Sequence, residues 1–82
     1  MENNIVETYK KMGYRIGNNC VIEEGTVIEG KSVLIGNDVH IGRNCVIRGE
    51  EIIIGDNCLF YDDVFIHTVK HIEFGNRCKV SR

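Results

Sequence analysis

Large apolar residues recur every six positions along most of this chain: Ile16, Ile22, Ile28, then Ile35, Ile41, Ile47, then Ile54, Phe60, Ile66. A longer unit overlies the six. Residues 16–34, 35–53 and 54–73 are three copies of one pattern, and residues 74–82 begin a fourth. Each copy holds three sixes, with its extra residue or two in the third. Four places after most of the large residues stands a small or β-branched one: Cys20, Thr26, Ser32, Val39, Cys45, Cys58, Val64 and Cys78. Glu51 and Lys70 break that rule, both in lengthened third segments. Gly, Asn and Asp fill the places between, as in Gly17-Asn18-Asn19, Gly36-Asn37-Asp38 and Gly55-Asp56-Asn57.

A period of six with this much Gly and Asn fits neither a helix nor a heptad. It predicts short extended segments joined by tight corners, because Gly, Asn and Asp tolerate positive φ. Three segments then make one triangular coil, and equivalent residues stack ~4.8 Å apart in neighbouring coils. The first fourteen residues read instead as a helix. Asn4 is placed to cap it, Glu7 sits at the reciprocal position and Gly13 follows its end. Ile5, Tyr9 and Met12 share one face, so the helix is expected to cover the open first coil. The expected organisation is a capping helix over 1–14 and a repeat region over 15–82.

This pattern resembles the hexapeptide repeat of left-handed parallel β-helices, and the resemblance runs over residues 16–80. It implies an all-β fold, a left-handed parallel β-helix of about three and a half coils with a short N-terminal capping helix. It also implies trimers about the helix axis and, as the commonest activity, acyl transfer from acyl-coenzyme A.

With the large and the small residues both inside, the residue after the small one faces outward. That set is mostly apolar: Val21, Val27, Val33, Val46, Ile52, Leu59 and Phe65. Contiguous outward apolar stripes on so small a protein point to a subunit interface, here expected at Val27, Val46, Phe65, Val33, Ile52 and Leu59. The last coil, with Phe74 and Val80, is expected to be open, so that two trimers meet end to end or something else covers it.

Composition narrows the field. The chain has 82 residues and a formal net charge of −2, which argues against a nucleic-acid backbone binder. No apolar run approaches the ~20 residues of a membrane-spanning helix, and no charged-then-apolar leader opens the chain, so a cytoplasmic protein is expected. Four cysteines without a C-x-x-C pair exclude a zinc knuckle or a thioredoxin-type motif. All four occupy the small inward position and are expected to fill the core. Cys58 and Cys78 lie one coil apart, which makes a disulfide conceivable where the compartment allows one. His40, His67 and His71 do not match the spacing of the zinc histidines in gamma-class carbonic anhydrases, which share this fold, so no metal is expected.

Aligned third segments predict two charge ladders, Glu29–Arg48–His67 and Ser32–Glu51–Lys70, with Gly30–Gly49–Thr68 as an open floor between them. In an inter-subunit cleft, Arg48, Lys70, His67, Glu51 and Thr68 would hold a small anionic ligand, Arg48 by a bidentate fork. The resulting expectation is a homotrimer, or a dimer of trimers, that holds a nucleotide-like anion without turnover and needs no cofactor. It would act in the manner of small phage-encoded sponge proteins, an analogy of strategy rather than sequence. The alternative from the family resemblance is an O- or N-acyltransferase using acetyl-coenzyme A, with His67 or His71 as general base. Against it stand few coils, no excursion loop and no Trp. A purely structural role in assembly is the third option.

Overall fold

Every side of the solenoid carries two inward side chains spaced by two residues, which is the period of a β-strand. The computed structural model describes residues 4–82. After helix α1 (Asn4–Lys11), the first coil is β1 (Arg15–Ile16), β2 (Val21–Ile22) and β3 (Val27–Glu29). The second is β4 (Ser32–Ile35), β5 (His40–Ile41) and β6 (Val46–Arg48). The third is β7 (Glu51–Ile54), β8 (Leu59–Phe60) and β9 (Phe65–His67), and β10 (His71–Phe74) and β11 (Lys79–Val80) begin a fourth. All pairing is parallel and runs from coil to coil, giving three sheets: β1-β4-β7-β10, β2-β5-β8-β11 and β3-β6-β9. This is the architecture of a left-handed parallel β-helix.

The sixfold residues stack as the pattern requires. Ile16 pairs with Ile35, Ile35 with Ile54 and Ile54 with Phe74; Ile22, Ile41, Phe60 and Val80 form the second column, and Ile28, Ile47 and Ile66 the third. Within the first three coils these residues are buried except Ile66, which is half-buried. In the last coil Phe74, Cys78 and Val80 are only half-buried, and Phe74 meets Phe60 edge to face at 5.1 Å.

The corners hold themselves. Asn37 Oδ1 accepts from the Asn18 amide, Asp56 Oδ1 from the Asn37 amide and Asn76 Oδ1 from the Asp56 amide, each at 2.8 Å. Positive φ falls at Asn19, Asp38, Asn44, Asn57 and Asp63, and also at Arg77. The inward small residues donate as well as fill. The Cys20, Cys45 and Cys58 thiols reach carbonyls of the next coil at 3.0–3.1 Å, and the Thr26 hydroxyl does so at 2.6 Å. Cysteine at these places supplies a weak donor to a carbonyl facing the interior.

The first coil is closed from above by two tyrosines. Tyr9 Oη accepts from the Ile28 amide at 2.9 Å and donates to the Thr26 carbonyl at 3.4 Å. Tyr14 Oη donates to the Ile28 carbonyl at 3.2 Å and accepts from the Gly30 amide at 3.3 Å. Two stacked rings, 5.3 Å apart, thus supply the hydrogen bonds that a further strand would make to β3.

Four expectations are corrected here. Val33 and Ile52 do not face outward: they are 4% and 0% exposed, core residues stacked on each other and on Ile72. The inward small residue is tied by the strand period to the large residue two places after it, so the corner before it absorbs the insertion. Ser32, Glu51 and Lys70 are therefore exposed, and Leu34 faces outward instead. Likewise Glu51 pairs in register with His71, not Lys70. Asn4 is itself a helical residue and not the one before the helix. Finally, Val6 is the helix residue sunk in the core, with Ile5 and Tyr9 half-buried beside it, while Met12 lies past the last helical turn and is 61% exposed.

Candidate functional site

The sheet β3-β6-β9 turns its outer face to solvent with two columns of side chains. One is apolar: Val27 pairs with Val46 and Val46 with Phe65, with Val27 36% and Phe65 68% exposed and Val46 half-buried between them. The other is polar: Glu29 pairs with Arg48 and Arg48 with His67. Strand alternation puts both columns outward, because they flank the inward Ile28, Ile47 and Ile66 and so stand two residues apart. Leu59, from the expected interface, sits half-buried on the neighbouring sheet under exposed His40.

At the end of this sheet the chain turns the corner formed by Gly30, Gly49 and Thr68. The corners stack tightly. A Cβ on Gly30 would come within 2.7 Å of the Gly49 carbonyl oxygen, and one on Gly49 within 3.0 Å of Thr68 Cγ2. The glycines are therefore required by the close approach of successive coils. Thr68 Oγ1 accepts from the Lys70 amide at 3.4 Å and shapes the longest corner, whose Val69 is 78% exposed.

Arg48 Nε donates to Glu29 Oε1 at 2.6 Å. Both side chains are about half-exposed, so the pair contributes only ~0–1 kcal/mol and yields readily to a better anion. Lys70 makes no ion pair among the described residues, and the ring nitrogens of His67 make no hydrogen bond among them; its ring meets Phe65 edge-on at 6.5 Å. Arg48 and His67 thus stand beside the apolar column, and Lys70 follows in the corner after β9.

His71 is placed differently. It opens the next sheet, and its Nδ1 lies 2.5 Å from Glu51 Oε1 while its Nε2 lies 3.1 Å from Glu73 Oε1. The two carboxylates, Glu73 foremost and then Glu51, raise the imidazole pKa above its ordinary 6.5 against a small opposing effect of burial. Carboxylates on both ring nitrogens favour the imidazolium, and in that form His71 donates from both nitrogens and presents no lone pair to a substrate. Glu51 is spent in this triad with Glu73. The five residues expected to bind an anion therefore divide: Arg48, His67, Thr68 and Lys70 lie along one corner, and Glu51 faces away to His71.

His40, on the second sheet, approaches Glu23 at 3.5 Å. Among the described residues no three His, Cys, Asp or Glu side chains converge in a way that could hold a metal ion, and no helix is long and apolar enough to cross a membrane. A groove of about 380 Å³ lies between α1 and β3, lined by Ile5, Tyr9, Met12, Val27 and Glu29; it extends the apolar column upward past Val27. Leu34, on the first sheet, was the outward residue that counting by sixes missed. The alternation Val33-Leu34-Ile35, inside-outside-inside, was its signal.

Comparison with known proteins bears on the repeat. The family described as hexapeptide repeat of succinyl-transferase matches residues 7–29 and 32–59. The break at 30–31 falls on the first of the lengthened corners. No curated protein and no solved structure matched the chain significantly.

Proposed function

The chain belongs to the hexapeptide-repeat family, and from that premise we propose that it acts as a homotrimer whose inter-subunit clefts hold a small, nucleotide-like anion without turning it over. One observation carries this reading: the exposed apolar column Val27–Val46–Phe65 runs in register beside Arg48 and His67 on a single sheet. Association through the column would bury its surface and leave the polar edge lining a cleft. In that setting Arg48 and Lys70 supply the positive charge on either side of the tightly stacked Gly30–Gly49–Thr68 corner. Desolvation between subunits strengthens each charged hydrogen bond relative to the open corner of one chain. His71 and Glu51, bound to each other, stabilise the next coil rather than the ligand.

The family's own description favours a second reading, acyl transfer. Here His67 alone is suited to be the general base, since its nitrogens are available. The two readings part in one experiment. The purified protein is assayed for ligand retention and for acetyl-coenzyme A consumption in parallel with Arg48→Ala, Lys70→Ala and His67→Ala. Sequestration predicts no turnover and ligand loss in the Arg48 and Lys70 variants. Turnover by the parent that His67→Ala abolishes would instead establish the enzyme.

A further inference from the structure

Among the four cysteines, register makes only one pair of neighbours. Leu59 pairs with Lys79 and His40 with Leu59, so the inward column beside them runs Cys20, Val39, Cys58, Cys78. Val39 separates Cys20 from Cys58, and Cys45 stands in another column between Thr26 and Val64. The Cys58 and Cys78 thiols converge on one acceptor, the Gly75 carbonyl oxygen, at 3.0 and 3.4 Å. Neighbouring parallel strands run ~4.8 Å apart, within the ~4.4–6.8 Å that Cα atoms of a disulfide span. The two differ in access: Cys58 is 1% exposed, whereas Cys78 is half-buried.

We propose that Cys58 and Cys78 form a redox-active dithiol that hydrogen peroxide closes to a disulfide, clamping β10 and β11 onto the third coil. Cys78 is the entry thiol. Its sulfur attacks the peroxide oxygen, the O–O bond breaks, and water leaves with a sulfenic acid remaining on Cys78. The Cys58 sulfur then attacks the Cys78 sulfur, forming the S–S bond and breaking the S–O bond, and a second water leaves. Two thiols lose two electrons and two protons, and one peroxide becomes two waters. Burial pushes the Cys58 thiol up, so it is not the one to meet the oxidant first; its part rests on its place beside Cys78, with both thiols on the Gly75 carbonyl. The inference is independent of what the clefts bind.

The test uses the reduced full chain, treated with hydrogen peroxide, then unfolded in urea with a maleimide present and digested without reductant. Trypsin places the four cysteines on four separate peptides, with Cys58 on residues 49–70 and Cys78 on residues 78–79. The expected product is the link between those two, two hydrogens lighter than the sum, with Cys20 and Cys45 alkylated. The oxidised protein should melt higher than the reduced one and return on adding a dithiol reductant. Cys78→Ser, at a half-buried position of the last coil, should fold and leave Cys58 alkylated after the same treatment. All four thiols alkylated, Cys78 carried on to sulfinic acid alone, or a link through Cys20 or Cys45 would each overturn the proposal.

Discussion

Removing two hydroxyl groups should destabilise the whole solenoid from its N-terminal end. In Tyr9→Phe and Tyr14→Phe the stacked rings remain, so packing against the first coil is unchanged and only the oxygens are lost. The Tyr9 hydroxyl serves the Ile28 amide at 2.9 Å and the Thr26 carbonyl at 3.4 Å; the Tyr14 hydroxyl serves the Ile28 carbonyl and the Gly30 amide. A donor left unpaired away from water costs about 1–3 kcal/mol. The shorter bond makes Tyr9→Phe the costlier variant, at about 1–3 kcal/mol, and Tyr14→Phe should lie near the lower end of that range. Both hydroxyls bond to Ile28, so the double variant should depart from additivity. For a domain of this size each kcal/mol lowers the melting temperature by about 4–8 °C. Circular dichroism melts at one fixed protein concentration read the effect, since association makes the midpoint concentration-dependent. Tyr61→Phe is the control, because that ring is 47% exposed and its loss should matter by less than about 0.5 kcal/mol. If Tyr9→Phe melts with the parent and Tyr61→Phe, the hydroxyls are not replacing a missing strand and the reasoning fails.

Three further outcomes follow from particular residues. Gly30→Ala would set a Cβ 2.7 Å from the Gly49 carbonyl oxygen and should cost about 1–3 kcal/mol in urea unfolding, whereas Gly75→Ala, with open space around it, should cost far less. Arg77 holds φ 57° at a corner where Asn19, Asp38 and Asn57 stand in the coils above. Arg77→Asn should therefore raise the urea midpoint, by an amount bounded by the ~1–2 kcal/mol left-handed penalty. His71 should titrate above 6.5 by nuclear magnetic resonance, and Glu73→Gln or Glu51→Gln should bring it down. Because the folded value lies above the unfolded one, the stability this triad confers is complete below 6.5 and disappears as pH rises through the raised value. Titration of His71 at or below 6.5 would contradict the triad.

Stacking of Ile16, Ile35, Ile54 and Phe74 was legible before any coordinates, because a solenoid converts sequence period directly into register. The Glu29–Arg48–His67 ladder followed from the same count. The count failed where the chain is longer than its own repeat. Val33 and Ile52 look outward when numbered forward from Ile28 and Ile47, yet numbered back from Ile35 and Ile54 they are inward. Strands fix side-chain alternation, whereas corners take up insertions. The same displacement hid the pairing of Glu51 with His71, which removed one histidine from the candidate site. Tyr9 and Tyr14 carried no readable signal of their role, since a hydroxyl bonded to a strand edge depends on where a helix folds back, not on spacing along the chain.

The account turns on whether single chains close into trimers around an anion. Native mass spectrometry of the purified protein, followed by denaturation and analysis of what is released, tests it most directly. The prediction is a homotrimer that carries and releases a stoichiometric small anionic molecule, with Phe65→Asp shifting it to monomer and abolishing the bound mass. A monomeric parent would contradict the interface reading of Val27, Val46 and Phe65, and with it the cleft.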